Sequence, residues 1–403
     1  MSPVRLPDDV VVDGKSKIFL LVLDGLGGIR DPRSNKTELE TARKPNLDKL
    51  ASTSVCGVLD PVLPGITPGS GPSHMALFGY DPMECNIGRG VLSALGVDFH
   101  LTPKDVAARA NFATVDEKGK VTDRRAGRIS SEKNRKLCEK LTQSVKLPHG
   151  VKLFVQTESE HRAVIVFRGE GLSGDLSDTD PQRVGVPAAE PSALSPAATK
   201  TSEIVRSFLK QAGEILKDES PANALLLRGF ASQKSYASFY ERFKLKAAAV
   251  AKYPMYRGLA RLIGMEVLPA REDMDAEIDL IRQELDNFDF FYIHVKKTDS
   301  YGEDGNFDEK VKTIELVDSK IPSLLGLSPD VLVVTADHST PSALKAHSWH
   351  PVPVLLSAKT CRVDDVVFFD EINCARGGIG RMPMVYLINL ILAHAGRLTK
   401  YGA

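Results

Sequence analysis

Uninterrupted apolar runs alternate with amphipathic segments along most of the chain. Two of these runs, Ile18–Leu23 and Val331–Thr335, have the pattern of strands buried on both faces, which is typical of a parallel sheet. Similar strand patterns occupy residues 55–62, 222–227, 288–295 and 352–356, and helix patterns occupy residues 41–52, 75–80, 201–218, 276–285 and 309–325. Because strands alternate with helices, we predict an α/β fold whose core is a parallel sheet covered by helices.

From about residue 99 the pattern changes to short strand-like segments and loops rich in proline, serine and alanine. Residues 152–156 indicate one such strand, and residues 116–119 indicate a hairpin turn. We therefore predict a smaller α+β domain at residues 99–242. It would be inserted into a discontinuous first domain at residues 1–98 and 243–403.

Five arginines lie close together in the sequence of the predicted insertion: Arg109, Arg124, Arg125, Arg128 and Arg162. Guanidinium groups bind phosphate and carboxylate through two parallel hydrogen bonds, so the cluster predicts an anion-binding patch. The alternative is ordinary solvated surface charge.

Composition narrows the class of protein. The chain has 403 residues, 42% of them hydrophobic and 26% charged, which is typical of a globular protein long enough for two domains. Lysine plus arginine equals aspartate plus glutamate at 52 each, so no overall field attracts nucleic acid or a membrane surface. The five cysteines are scattered without a C-x-x-C pair, and the apolar run at residues 384–395 is too short to span a bilayer. We expect a cytoplasmic protein without nucleic-acid or membrane partners.

One loop, residues 65–74, combines three glycines and two prolines around Ser70 and leads into the predicted helix at 75–80. Glycines let a ligand approach the backbone closely, and the start of a helix offers free N–H groups to an anion. The loop therefore predicts a nucleophilic serine beside an anion site. The alternative is an ordinary surface turn that happens to contain a serine.

Acidic residues and histidines fall at the ends of separate predicted strands. Asp24 follows the first strand, Asp299 follows 288–295, and Asp337 and His338 follow Val331–Thr335, while His347 precedes the next strand. The carboxyl ends of parallel strands meet at one edge of the sheet, so these side chains can share a site. Carboxylates and imidazoles together bind Mn²⁺, Zn²⁺ or Mg²⁺. Taken singly, each residue could instead be a packed or surface side chain.

These motifs together resemble those of the cofactor-independent (2,3-bisphosphoglycerate-independent) phosphoglycerate mutases of the archaeal type, within the alkaline phosphatase superfamily. The resemblance covers nearly the whole chain. It rests on Leu23-Asp24-Gly25 and on residues 67–74, 78–82, 109–114, 123–128, 177–181, 335–340 and 347–353.

The resemblance implies an alkaline-phosphatase-like catalytic domain and a smaller substrate-binding domain that hinges over the metals. The reaction would interconvert 3-phosphoglycerate and 2-phosphoglycerate, as in glycolysis and gluconeogenesis, through a phosphoserine at Ser70. Two divalent metal ions are implied. Matching the family's motifs assigns Asp299 and His347 to the first ion, and Asp24, Ser70, Asp337 and His338 to the second.

The chain departs from the family pattern at one metal position. The family motif reads Asp-x-x-x-His, whereas this chain has Glu303 four residues after Asp299. Glutamate can still bind a metal, but it adds a negative charge and a harder donor. We therefore expect Mn²⁺, with Mg²⁺ or Zn²⁺ as alternatives.

The phosphoryl exchange also needs a reversible acid and base, because one glycerate hydroxyl gains a proton and the other loses one. Asp178 is our first candidate and Asp123 the second. Seven residues are candidates to bind the substrate's carboxylate and phosphate: Arg124, Arg125, Arg128, His161, Arg162, Arg228 and Arg257.

Related activities stay open at this stage. Water could intercept the phosphoserine in a metal-dependent phosphomonoesterase, or the group could pass to another acceptor, as in the proposed homoserine kinases. A binding homologue weakened at Glu303 is a further alternative. The arginine-rich insertion favours the mutase, and a sulfatase is disfavoured because residues 70–74 lack the Cys/Ser-x-Pro-x-Arg pattern.

Overall fold

Strands and helices alternate along the chain in the computed structural model, which describes residues 6, 7, 9–85, 87–232 and 236–402. The strands are β1 Ile18–Leu23, β2 Val55–Asp60, β3 Asp105–Val115, β4 Val121–Asp123, β5 Lys152–Ser159, β6 Arg162–Arg168, β7 Ala224–Ser232, β8 Ala247–Val250, β9 Glu266–Val267, β10 Phe290–Val295, β11 Val331–Thr335, β12 Val352–Ala358 and β13 Gly380–Pro383. The helices are α1 Glu38–Thr41, α2 Pro45–Ala51, α3 Ser70–Leu77, α4 Arg89–Gly96, α5 Ser131–Ser144, α6 Thr199–Leu216, α7 Phe239–Phe243, α8 Pro254–Leu262, α9 Met274–Glu284, α10 Lys297–Asp304, α11 Phe307–Leu325, α12 Glu371–Cys374 and α13 Leu387–His394.

The described residues divide into two units. The first takes in those up to 85, together with 237–253 and 260–402, and the second takes in those from 87 to 236 and 254–259. The domain limits given above stay a prediction. No helix among the described residues is both long and apolar enough to cross a membrane.

An eight-stranded sheet forms the core of the first unit, in the order β13-β2-β12-β11-β1-β10-β8-β9. The fully buried strand β1 pairs in parallel with β10 on one side and β11 on the other. Its uninterrupted apolar sequence is what a strand covered on both faces requires. The predicted α/β class with a largely parallel, helix-covered sheet is confirmed.

Strand β12 is an exception, because it runs antiparallel to both β11 and β2. A parallel neighbour needs a crossover connection, usually a helix, and residues 336–351 between β11 and β12 contain none. The chain therefore turns back at the carboxyl edge of β11. This reversal explains why His347, which precedes a strand, lies at the same edge as residues that follow one.

The second unit contains an antiparallel sheet in the order β4-β3-β6-β5. Strand β7 also pairs with β3, along the edge opposite β6. The predicted hairpin turn at residues 116–119 lies between β3 and β4, where Gly119 N donates to Asp116 O. Apolar residues of α5 and α6, among them Leu137 and Phe208, form one buried cluster with the sheet.

Two predicted helices have different bounds in the structure. The helix predicted at 75–80 begins at Ser70, because Gly69 is extended and a proline, Pro72, is tolerated in a first turn. The segment predicted as one helix at 41–52 contains the end of α1 and the whole of α2. Ala42 between them is extended, and Pro45 starts α2.

Helix α11 carries a fully buried lysine, Lys310, beneath two loops of the sheet edge. Its Nζ donates to the carbonyl oxygens of Gly25 at 2.9 Å and Thr340 at 2.8 Å. It also lies 3.8 Å from Glu38 Oε1. Burial lowers the pKa of Lys310, whereas Glu38 opposes that shift. The ammonium group therefore joins the loop after β1 to the loop after β11.

We expect Lys310→Met to lower the free energy of unfolding by about 3–5 kcal/mol, because it leaves a buried carboxylate and loop carbonyls without their cation. Urea denaturation followed by circular dichroism measures the change. Lys312→Met is the matched control, since Lys312 is an exposed lysine of the same helix, paired with Glu309. Equal denaturation midpoints for the two variants would contradict the role given to Lys310.

Candidate active site

Ser70 is the first residue of helix α3, after the extended residue Gly69. The first N–H groups of a helix have no partner within it, so this end of α3 favours a negatively charged group. Ser70 Oγ lies 3.2 Å from His338 Nε2. The serine hydroxyl is therefore next to the residues that follow β11.

Asp24, Asp337 and His338 form one candidate metal-binding group, which we call the second group. Asp24 follows β1, the other two follow β11, and these strands are parallel neighbours. One ligand atom of each residue lies within 4.8 Å of the others, and all three residues are buried. His338 Nε2 is 3.3 Å from Asp24 Oδ1 and 3.1 Å from Asp337 Oδ2.

Asp299, His338 and His347 form the other candidate group, which we call the first group. His347 Nε2 is 3.5 Å from Asp299 Oδ1, and its ring stacks on His338 with centroids 3.7 Å apart. His347 Nδ1 lies 3.0 Å from Pro68 O. Because a carbonyl only accepts, Nδ1 carries the hydrogen and Nε2 is the available ligand atom. Glu303 Oε1 lies 3.8 Å from that nitrogen, at the exposed rim of the group.

The two groups fit divalent cations in their chemistry, since they combine carboxylate oxygens with imidazole nitrogens. Asp24 Oδ1 is buried and accepts no hydrogen bond from the described part of the chain, which leaves this oxygen available to bind a cation. Burial raises the pKa of Asp24, but Lys296 and two histidines outweigh it and hold that pKa well below its usual value. The Asp24 carboxylate is thus ionised and able to bind a metal.

Several residues near these groups were given no role from the sequence. Lys296 Nζ lies 3.1 Å from Asp24 Oδ2 and also contacts the Asp299 carboxylate. His294 Nε2 lies 3.2 Å from Asp24 Oδ2, and His74 Nδ1 lies 3.1 Å from Asp337 Oδ2. Lys296 directly follows β10, so the rule that placed Asp24 after β1 could have found it. The two histidines lie inside α3 and β10, where sequence offers no such signal.

In the second unit, three of the predicted residues, Arg124, Arg228 and Asp178, come together with a further carboxylate, Asp180. Arg124 binds Asp180 through two hydrogen bonds, of 2.8 and 2.7 Å. Arg228 lies 3.6 Å from Asp180 and 3.7 Å from Asp178, and Gly229 N donates to Asp178 Oδ1 at 2.7 Å. Asp180, which was not singled out from the sequence, is the residue that orders both guanidinium groups.

Asp123 and Asp178 differ in what their oxygens already do. Both oxygens of Asp123 accept backbone N–H groups, from Arg125 at 2.8 Å and Gly127 at 2.6 Å. Asp123 therefore stabilises its own turn. Asp178 Oδ2, by contrast, lies 3.7 Å from Arg228 Nε and accepts no hydrogen bond from the residues that the structure describes.

The remaining predicted residues of this unit occupy different settings. Among the described residues, the exposed side chains of Arg125 and Arg128 make no hydrogen bond or ion pair. His161 is buried next to Arg162, the first residue of β6, and Arg257 lies on α8. Burial, reinforced by Arg162, lowers the pKa of His161 to about 4. The imidazole is thus neutral near pH 7.

Comparisons with known proteins show which family the chain belongs to. Residues 51–223 match the sequence model of the family described as 2,3-bisphosphoglycerate-independent phosphoglycerate mutase. A Thermus thermophilus protein named as a probable enzyme of this kind is 50% identical over 391 residues, which are 96% of each chain. The solved structure of a Pyrococcus horikoshii protein has a TM-score of 0.83 at 31% identity and covers 96% of this chain and all of its own. The solved structure of the Thermoplasma acidophilum cofactor-independent phosphoglycerate mutase has a TM-score of 0.72 at 31% identity. The match covers 94% of this chain and the whole of the Thermoplasma chain.

The half-identical relative aligns with this chain over almost the entire length of both. The resemblance first seen in the motifs is confirmed: the chain belongs to the family of 2,3-bisphosphoglycerate-independent phosphoglycerate mutases.

Proposed function

We propose that this chain interconverts 3-phosphoglycerate and 2-phosphoglycerate without added bisphosphoglycerate, by carrying the phosphoryl group on Ser70. The observation that carries the proposal is the position of Ser70 Oγ, at a helix start and 3.2 Å from the nitrogen of His338, which belongs to both candidate metal groups.

Two divalent ions are part of the proposal. Asp24, Ser70, Asp337 and His338 would hold one, and Asp299, Glu303 and His347 the other. Ions bound there would lower the pKa of the serine hydroxyl and offset the charge of the phosphoryl oxygens. Because Glu303 is a harder donor than imidazole, we propose Mn²⁺ as the metal, with Mg²⁺ next and Zn²⁺ disfavoured.

Ser70 would act as the nucleophile in both directions. Its Oγ forms a bond to phosphorus while the ester bond to glycerate breaks, and the leaving oxygen takes up a proton. Glycerate then turns, and its other hydroxyl loses a proton as it takes the phosphoryl group from Ser70. The N–H groups at the start of α3 are suited to the phosphoserine because they favour an anion.

We propose Asp178 as the acid and base for glycerate, since its Oδ2 is less engaged than either oxygen of Asp123. The substrate's negative charge would be met by arginines of the second unit, for which the candidates are Arg124, Arg125, Arg128, Arg162, Arg228 and Arg257. His161 belongs with them as a neutral hydrogen-bonding group, since it adds no charge near pH 7.

Ser70→Ala is expected to reduce mutase activity by at least about 10³-fold, because the variant lacks the hydroxyl proposed to carry the phosphoryl group. A coupled assay on 3-phosphoglycerate without bisphosphoglycerate measures the loss, and mass spectrometry of wild-type protein quenched during turnover should find phosphate on the Ser70 peptide. Ser73→Ala, which removes a hydroxyl from the same helix, controls for damage to α3. Isomerisation that survives in the Ser70 variant would overturn the assignment.

Glu303→His is expected to move metal preference towards Zn²⁺, raising the ratio of Zn²⁺ to Mn²⁺ affinity by about tenfold or more. The physical reason is the exchange of an anionic oxygen donor for a neutral nitrogen. Competitive metal binding to chelator-treated protein measures the ratio, and Glu303→Gln controls for loss of charge without gain of nitrogen. An unchanged ratio would show that Glu303 does not bind the metal.

His161 is expected to make the second unit sensitive to acid. Its pKa is lowered to about 4 when folded, from 6.5, so below pH 6.5 the unfolded chain takes up a proton that the folded chain does not. The free energy of unfolding should therefore fall as pH decreases from 6.5 towards 4, and His161→Gln should reduce that slope. Urea denaturation at several pH values measures it, with the exposed His149→Asn as control. Identical slopes in wild type and His161→Gln would contradict the prediction.

A further inference from the structure

Thr340 contacts one residue of each candidate metal group through a single hydroxyl. Its Oγ1 lies 2.6 Å from Asp299 Oδ1, in the first group, and 3.0 Å from Nδ1 of His338, which belongs to both. The residue is fully buried. Bulk water therefore does not reach this hydroxyl to compete for its hydrogen bonds to Asp299 and His338.

The direction of both hydrogen bonds follows from the acceptor. The Thr340 hydroxyl donates its hydrogen to the carboxylate oxygen of Asp299. The hydroxyl oxygen is then free to accept, and His338 must donate from Nδ1. The neutral imidazole consequently carries its hydrogen on Nδ1. Its Nε2 lone pair faces Ser70 Oγ at 3.2 Å and the carboxylates of the second group.

The backbone of Thr340 is held as firmly as its side chain. Its N–H lies 3.2 Å from Gly25 O and 3.1 Å from Gly27 O, and its carbonyl accepts from Lys310 Nζ. Two glycines make room for it. A Cβ on Gly25 would lie 2.5 Å from Thr340 Oγ1, and a Cβ on Gly302 would lie 2.3 Å from Thr340 O. The hydroxyl thus has little freedom to leave the bridge.

We infer that Thr340 is a positioning residue that couples the two metal sites, by fixing the Nδ1–H tautomer of His338 and tying that ring to Asp299. The inference rests on the two-metal centre proposed above. Ligand imidazoles are oriented in this way by the partner of their other nitrogen, and loss of such a partner lowers metal affinity by about 10–100-fold. Here one hydroxyl serves ligands of both ions, so its loss should weaken both.

The test is metal binding to chelator-treated protein, with free Mn²⁺ followed by electron paramagnetic resonance. Thr340→Val removes the hydroxyl at constant volume and should lower the affinity for both ions by about 10–100-fold, whereas Thr340→Ser should stay close to wild type. Thr335→Val is the matched control. Thr335 is equally buried, and its hydroxyl donates to Pro353 O, away from the candidate ligands.

A double-mutant cycle tests the coupling itself. If Thr340 transmits the state of Asp299 to His338, the effects of Asp299→Asn and Thr340→Val on the remaining ion should depart from additivity by about threefold or more. Should the valine variant fail to fold, Thr340→Ala compared with Thr340→Ser isolates the same hydroxyl.

Each outcome bears on one proposal. Wild-type protein that binds no ion would overturn the metal centre itself. Two ions bound equally well by wild type and Thr340→Val, or additive effects in the cycle, would overturn the coupling while leaving the metal centre standing.

Discussion

Three carboxylates buried at one edge of a sheet are the constraint on which the rest of the structure depends. Asp24, Asp299 and Asp337 are each at most 1% exposed. Burial and the neighbouring Asp24 raise the pKa of Asp337, yet the nearby histidines bring it below its usual value. Like charges in so small a buried volume are stable only beside cations. Lys296 supplies one such cation, and the divalent ions proposed above would supply the remainder.

The loops after β1 and β11 are also stabilised by a buried side chain of helix α11. Lys310 offers a second buried cation, but it acts on backbone carbonyls of the two loops and not on the candidate ligands. Gly25 allows the close approach of these loops because it adopts a left-handed conformation, φ 65°, that other residues rarely take. The position of the candidate ligands thus depends on backbone contacts that do not involve the candidate ligand atoms themselves.

Sequence patterns predicted the parts of the molecule that depend on local order. The apolar runs at β1 and β11 coincide with strands, and the strand-end rule brought Asp24, Asp337 and His338 to one place. The apolar pattern could not show that β12 runs antiparallel to β11, because the pairing direction depends on the connection between the strands and not on the strand's own residues.

The roles of other residues at and around the site could not be predicted from the sequence, because those roles depend on contacts made only in the folded chain. Lys310 lies in a charged helix, where an exposed position is the default expectation, and only the fold shows it buried. Thr340 is the last residue of a recognised motif, yet its hydroxyl gains importance from Asp299, forty-one positions away in the chain. Asp180 likewise acquires its role from two arginines, one in the turn after β4 and the other in β7.

Glu303, where the chain departs from the family's metal motif, lies at the position of its group where an added charge is best solvated by water. The Glu303 side chain is 56% exposed, compared with 21% for His347 and 1% for Asp299. Burial and the Asp299 carboxylate raise the pKa of Glu303, but water can still solvate much of its charge. An extra negative charge at the position of Asp299 or Asp337 would have no such solvation and would need a new buried cation. The rim of the first group is therefore the place where a candidate ligand can change from imidazole to carboxylate while the buried candidate ligands keep their arrangement.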